Sequence, residues 1–434
     1  MRGFLGLAAA VWASFIVQSV ADPTVARPGG IDDIIITNDN ILNSTTTVKE
    51  SKVNAVQAGT LPISVVNNFD SGMYVYITGR DSSGVPCLLG ANGQFVYPQA
   101  DNTGVPLEIV ANIAFPLSGV GQTTQITLPQ ALSSARIWVA HGQLKFYTVK
   151  DSAGVSALVE PSAANPVDPS SGVQWGFIEF SYDGATIYAN ISFVDFVGIP
   201  LGMGLTLSTG AQQIIPGLQA GSVNNICNNV KQQKSVDGQI WDQLCVVSSS
   251  GQALRVLAPN LYVSANPTGF SGYYDDYVNQ VWTQYTNQDL TINTQTDSGN
   301  VACRVSNNQL TCAGDNRAYP KPTTADIWGC NTGPFAILDS DNDIHRAVVP
   351  RLCAAFTRSE LLLAGGNVQP SLDQASYYTV SPTSHYSRIV HTYETNGLGY
   401  AFSYDDVNPD GQNAAGVVAG SDPTSLKVTV GGWS

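Results

Sequence analysis

The chain has 434 residues, 12% charged and 43% hydrophobic, with 41 Gly, 23 Pro, 7 Cys and a formal net charge of −14. The charged fraction is about half the ~25% usual for soluble domains, which excludes a coiled coil, a charge-rich disordered chain and a salt-bridged helical bundle. An isoelectric point near 4.5 argues against nucleic acid as a partner, because phosphate binding needs a basic footprint; a neutral polymer meets no such repulsion.

In chain order, Arg2, an apolar run from Phe4 to Val17 and Ser19-Val20-Ala21 before Asp22 form a secretory signal peptide over 1–21, cut after Ala21. No later window approaches the ~20 apolar residues that span a membrane. The expectation is a secreted chain, extracellular or cell-wall associated, with no membrane partner. Residues 22–60 are polar and Thr/Asn-rich, carry the sequon Asn43-Ser-Thr, and read as an N-terminal arm or linker.

From 61 to 200 the segments 62–68, 73–79 and 135–140 alternate or run apolar over strand lengths, punctuated by Gly, Pro, Asn and Asp, which predicts a β lobe. Residues 201–370 read as a mixed α/β lobe. Helices are expected at 218–234, 272–285 and 344–363, the last broken or started by Pro350. Strands are expected again at 377–380, 399–404 and 426–430, so that 371–434 returns to the β lobe.

Export places the cysteines in an oxidising compartment. Asn307-Asn308 at the centre of 303–312 predicts a two-residue hairpin turn that sets Cys303 opposite Cys312 at a non-hydrogen-bonded site, where a disulfide fits. Cys227, Cys245, Cys330 and Cys353 supply two more bridges of unassigned pairing, and Cys87 is left as a buried free thiol. With no Cys-x-x-Cys, no metal site is expected. Asp339-Ser-Asp341-Asn-Asp343 starts like a calcium loop but has Ile344 where Gly is needed, so it reads as a turn or helix cap. His391-x-x-Glu394 has metal-ligand spacing but lies in a stretch that reads as extended, which favours a structural role.

The chemistry-bearing stretch is 175–202. Glu179 and Asp195 each sit between aromatic and aliphatic residues, surroundings that would raise a carboxyl pKa as a general acid requires. Asp183-Gly184 predicts a turn that sets 182 opposite 185 and 179 opposite 188. By the period of two, Ser181, Thr186, Tyr188 and Asn190 share the face of Glu179, a polar and aromatic surface suited to sugar hydroxyls. Asp195 lies ~23 Å along a straight strand from the partner of Glu179, on the opposite face. The two acids therefore meet only if the strand bulges and bends between Asn190 and Asp195.

The stretches Trp175-Gly-Phe-Ile-Glu179-Phe and Tyr188-Ala-Asn-Ile-Ser-Phe-Val-Asp195-Phe-Val-Gly-Ile-Pro-Leu-Gly202 resemble glycoside hydrolase family 64, the thaumatin-like endo-β-1,3-glucanases. So do Asp242-Gln-Leu-Cys245, Asp326-Ile-Trp-Gly-Cys330, Arg351-Leu-Cys-Ala-Ala-Phe-Thr-Arg358, Ser387-Arg-Ile-Val-His391 and Gly399-Tyr-Ala-Phe-Ser-Tyr404-Asp-Asp-Val407, in order over 61–432. The resemblance implies a mainly β chain with an α/β lobe: a thaumatin-like β-sandwich barrel, a mixed α/β domain and a wide cleft between them. It implies hydrolysis of β-1,3-glucan to short oligosaccharides with inversion and without cofactor. By position, Glu179 matches the general acid and Asp195 the general base, their carboxyls ~6.5–9.5 Å apart. Ser181, Asp183, Tyr188, Asn190, Tyr404, Asp405 and Asp406 are expected along the glucan surface. Asn190, in a second sequon, is expected to be inaccessible once folded. The competing expectation is a thaumatin-like wall protein that binds β-glucan without cutting it. A monomer is expected.

Overall fold

The computed structural model describes residues 23–34, 36, 41–42, 59–412 and 414–433; the expected signal peptide over 1–21 and the Asn43 sequon lie outside them. The described chain is mainly β with helices gathered between 222 and 393. Two open sheets organise the β part. One runs through Val417–Ser421, Thr186–Asn190, Gln174–Tyr182, Leu132–His141 and Met73–Arg80, and on to shorter edge strands. The other has five strands, with Pro423–Val430 between Leu201–Leu207 and Leu61–Asn67.

The second sheet explains why the chain's end matters. Leu426, Val428 and Val430, alternate residues of the last strand, are fully buried, and its partners come from 61–67 and 201–207. One sheet thus joins strands from 61–67, 201–207 and 423–430, and reaches past residue 200. Ile178, Phe180 and Tyr182 of the first sheet and Ile63, Val65 and Met203 of the second belong to one continuous apolar core. Neither sheet closes on itself, so the expected barrel is not found: the strand order stays linear.

The helices expected at 218–234 and 272–285 are found at Ser222–Asp237 and Asp275–Asn287. Pro350 neither starts nor ends a helix: it lies inside Asp343–Arg358. That helix starts earlier, at the Asn342 cap, whose side chain accepts the His345 N–H at 2.9 Å, so the Asp339–Asp343 run caps a helix. Asp341 next to it is buried against Arg317 at 2.8 Å.

The strands expected at 377–380 and 399–404 are turns and bends, and the extended reading of the stretch around His391 is replaced by a helix, His385–Tyr393, capped by Ser384. The apolar residues Tyr386, Ile389 and Val390, spaced at three and four, are buried on one side of it, and this periodicity overrides local strand propensity. His391 does have the structural role expected. Its Nδ1 meets Glu394 at 2.8 Å and its Nε2 meets Asp405 at 2.9 Å.

Three disulfides are formed: Cys303–Cys312, as the hairpin register requires, with Cys227–Cys245 and Cys330–Cys353. Asn307 and Asn308 both take positive φ, the conformation a type I′ turn demands. Cys87 is free and buried.

Candidate active site

The site begins as a row across the first sheet. Thr78, Arg136, Glu179 and Asn190 are successive cross-strand neighbours on four adjacent strands. One residue pair away from the row, Trp138 faces Phe177 and Tyr76, so an aromatic patch borders the charged residues.

The hairpin carrying Glu179 differs in register from the expected one. Glu179 pairs with Asn190 and Tyr182 with Ile187, because the turn residues are Gly184 and Ala185: Asp183 N–H bonds Thr186 O at 3.1 Å and Gly184 has φ 99°. The slip is two residues, which preserves the face. Ser181, Thr186 and Tyr188 are exposed, Asn190 is half-buried, and Phe180, Tyr182, Ile187 and Ala189 are buried opposite. The sequence neighbours expected around Glu179, Ile178 and Phe180, point into the core on the far side of the strand, and the apolar groups on its own face are the rings of Phe177 and Trp138. Its side chain is 35% exposed and meets Arg136 Nη2 at 3.4 Å.

Beyond Asn190 the chain leaves the sheet, and it does so by a break in pairing, not a bulge. Ile191 N–H bonds Gly416 O, Ser192 bridges Tyr400, and Phe193 N–H bonds Tyr400 O at 2.7 Å. Phe196–Val197 then joins another sheet, against Ala253–Leu257. Asp195 sits at this crossing. Its carbonyl accepts the Ala258 N–H at 2.8 Å, and Tyr386 steadies the approach by donating to Phe193 O at 2.6 Å.

Arg136 connects the acids. Its Nη1 bonds Glu160 Oε2 at 2.7 Å, and its guanidinium lies over Phe177 at 4.6 Å. Glu160 is buried and accepts the Thr78 hydroxyl at 2.7 Å, which itself accepts the Trp138 indole N–H at 2.9 Å. Burial works against the Arg136 charge, but the carboxylates of Glu160, Glu179 and Asp195 outweigh it and hold the group firmly protonated. Glu179, from a strand of the first sheet, thus pairs with a guanidinium that also feels the charge of Asp195, which lies just before the strand Phe196–Val197 of another sheet. Neither Arg136 nor Glu160 stood out in the sequence. The available signal was a lone arginine in the apolar strand 135–140.

A cavity of about 480 Å³ opens beside this cluster, lined by Arg136, Asp195 and the rings of Trp138, Trp175 and Phe177, and walled on its other side by the helix Pro259–Ala265. The volume is in the range of small-molecule sites.

The remaining expected residues divide. Asp183 Oδ1 accepts Ala185 N–H and Thr186 N–H at 2.8 and 2.6 Å, so that oxygen holds the turn. Ser181 Oγ accepts the Ser134 N–H at 3.2 Å. Asn190 is half-buried within the sheet, and its side-chain oxygen is enclosed without a hydrogen-bond partner among the described residues. Tyr188 is 46% exposed. Tyr400 lies between Tyr188 and Asp406, and burial together with the Asp406 carboxylate pushes its phenol well up; Asp406 extends the exposed polar face to the 404–407 turn. Tyr404 is half-buried against the core.

Asp405 does not belong to that face. It is 1% exposed, and Arg358 Nη2, His391 Nε2 and the Ala401 N–H occupy its oxygens at 3.0, 2.9 and 2.8 Å. Expected on the glucan surface, Asp405 is instead buried in the 404–407 turn as a clamp between Arg358 and His391. No group of three or more metal-binding side chains occurs among the described residues.

An aromatic-lined cavity holding Asp195 and Arg136, with Glu179 paired to the same arginine, is the arrangement to set beside known proteins. The chain belongs to glycoside hydrolase family 64, the β-1,3-glucanase family, whose pattern matches residues 59–430. Two curated glucan endo-1,3-beta-glucosidases, from Cellulosimicrobium cellulans and Arthrobacter sp. (strain YCWD3), are each 26% identical to it over 357 residues, 80% of this chain. The chain spans 61% of the length of each. A laminaripentaose-producing β-1,3-glucanase crystallised with laminaritetraose is 26% identical, with a TM-score of 0.74 over 86% of this chain and 98% of that one. A family 64 β-1,3-glucanase domain from Clostridium beijerinckii, 21% identical, shares the fold at a TM-score of 0.66, over 87% of this chain and 100% of that one.

Proposed function

We propose that this chain is a secreted endo-β-1,3-glucanase that hydrolyses internal glucosidic bonds with inversion and releases short oligosaccharides. What supports the reading is the ion pair of Glu179 with Arg136 and the lining of one cavity by Arg136 and Asp195, in a chain of the β-1,3-glucanase family. Three disulfides support export to an oxidising compartment.

The glucan lies along the exposed face of the hairpin, where the Tyr188 ring supports a sugar and Ser181, Asn190 and Asp406 meet hydroxyls. Glu179, half-buried and solvent-reachable, acts as the general acid and gives a proton to the glycosidic oxygen as the bond to the anomeric carbon breaks. Asp195 takes a proton from a water attacking that carbon from the opposite side, and the carbon inverts. Arg136 fixes the direction of approach of Glu179 through their ion pair and lines the same cavity as Asp195. Its own position is fixed by Glu160, Thr78 and Trp138.

Glu179→Gln and Asp195→Asn proteins, assayed for oligosaccharide release from linear β-1,3-glucan, test the assignment. Each is expected to lose roughly 10²–10⁴ or more in turnover while still retarding in a gel containing the glucan. Full activity in either variant removes that residue from catalysis. Wild-type protein that binds glucan and releases nothing is a wall-binding protein instead.

A further inference from the structure

The family match begins at residue 59, yet part of the arm before it is built into the fold. Thr24–Val25 adds a parallel strand alongside Cys245–Val247, and so extends the sheet whose far strand, Phe196–Val197, directly follows Asp195. Ala26 is 4% exposed within the core, and its N–H bonds Val247 O at 2.9 Å. The arm then crosses the loop at 161–168. Arg27 N–H bonds Pro166 O at 2.7 Å, Gly29 N–H bonds Val167 O at 3.1 Å, and Asn165 Nδ2 donates to Asp33 O at 2.6 Å. Thr24 and the 161–166 loop that the arm holds both line the cavity that Arg136 and Asp195 line. Thr24 also donates to the carbonyl of Gln243, another lining residue, at 3.4 Å.

We propose that the N-terminal arm forms one wall of the glucan-binding cavity and that Thr24 limits how much of a β-1,3-glucan chain the cavity accepts beside Asp195. This rests on the glucanase reading above. The physical case is that a two-residue strand is paired with Cys245–Val247, followed by one buried alanine and then by main-chain bonds from Arg27 and Gly29 to the loop whose residues 161–166 line the cavity, so its side chain at 24 has a fixed place at the cavity edge. Because the cavity adjoins the base, its depth sets how many sugars lie on that side of the cleaved bond. The arm is then a determinant of product length carried outside the part shared with the family.

Two full-length variants test this, each by KM and kcat on linear β-1,3-glucan and by chromatography of the products. Thr24 is half-exposed, so Thr24→Trp adds bulk at the cavity edge without disturbing the core. It is expected to raise KM roughly ten-fold with a smaller change in kcat, and to shorten the products. Ala26→Asp buries a charge and so undocks the arm; opening the wall is expected to lengthen the products. A Thr24→Trp protein with wild-type KM and product lengths overturns the proposal, as does an undocked Ala26→Asp protein with unchanged products. If one variant fails to fold, the other decides. Wild-type protein that cleaves no β-1,3-glucan strikes the glucanase reading itself, before any variant is made, and takes this inference with it.

Discussion

Arg136 shows how much one side chain can hold in place. Its main partner, Glu160, has a side chain only 5% exposed, and removing one member of a buried pair leaves a charge with no compensation. Arg136→Met is expected to cost about 3–5 kcal/mol in denaturant unfolding, and adding Glu160→Gln should recover part of that. A second buried acid gives a pH prediction. Burial lifts the Glu360 carboxyl from 4.5 to about 7, while Arg358 opposes the shift. Because the folded state holds the proton more tightly, its contribution is present below about pH 4.5 and is lost as pH rises towards 7 and above. The loss is about 3 kcal/mol at most. Thermal melts at pH 5 and pH 8 should therefore show a smaller drop for Glu360→Gln than for wild type; equal drops would contradict it. The sequence revealed Glu179 and Asp195 as acids in a familiar stretch, but not Arg136. A cross-strand partner is set by register between strands some forty residues apart, which local pattern does not encode.

At the scale of elements, legibility followed the range of the forces. The Cys303–Cys312 hairpin was readable because its turn, register and bridge are all local. Opening it with Cys303→Ser/Cys312→Ser is expected to cost about 2–3 kcal/mol on the loop-entropy estimate, measured by urea unfolding without reductant, with glucan hydrolysis retained. The 174–190 hairpin was readable in its faces but not its register, since moving the turn by one residue shifts the pairing by two and leaves alternation intact. Bends and a turn replace the expected strand at 399–404 because the conformation is imposed from outside. Arg358 and His391 grip Asp405, and Tyr400 is tied to the 191–193 segment. Tertiary contacts of that kind override β propensity.

At the scale of the molecule, the described chain closes on itself through its last strand. Pro423–Val430 completes the sheet between strands that lie more than 350 and more than 210 residues earlier. Ending the chain at residue 422 should expose the buried faces of both neighbours and give no cooperative thermal transition by circular dichroism. The composition foretold a β-rich, disulfide-bearing chain, and the strands at 61–67 and 73–80 were legible from alternation. The docking of the arm at 24–26 was not, because two residues carry no periodicity and their partners lie more than 200 residues away. The fold sets Glu179, on a hairpin strand, against Arg136 and places Arg136 and Asp195 in the lining of one cavity. The most direct test is to follow the anomeric protons by NMR during the first minutes of linear β-1,3-glucan hydrolysis, with wild-type and Glu179→Gln proteins. The account predicts that wild type releases oligosaccharides first as the α-anomer and that the variant releases almost none. Products appearing first as the β-anomer, or undiminished release by the variant, would contradict it.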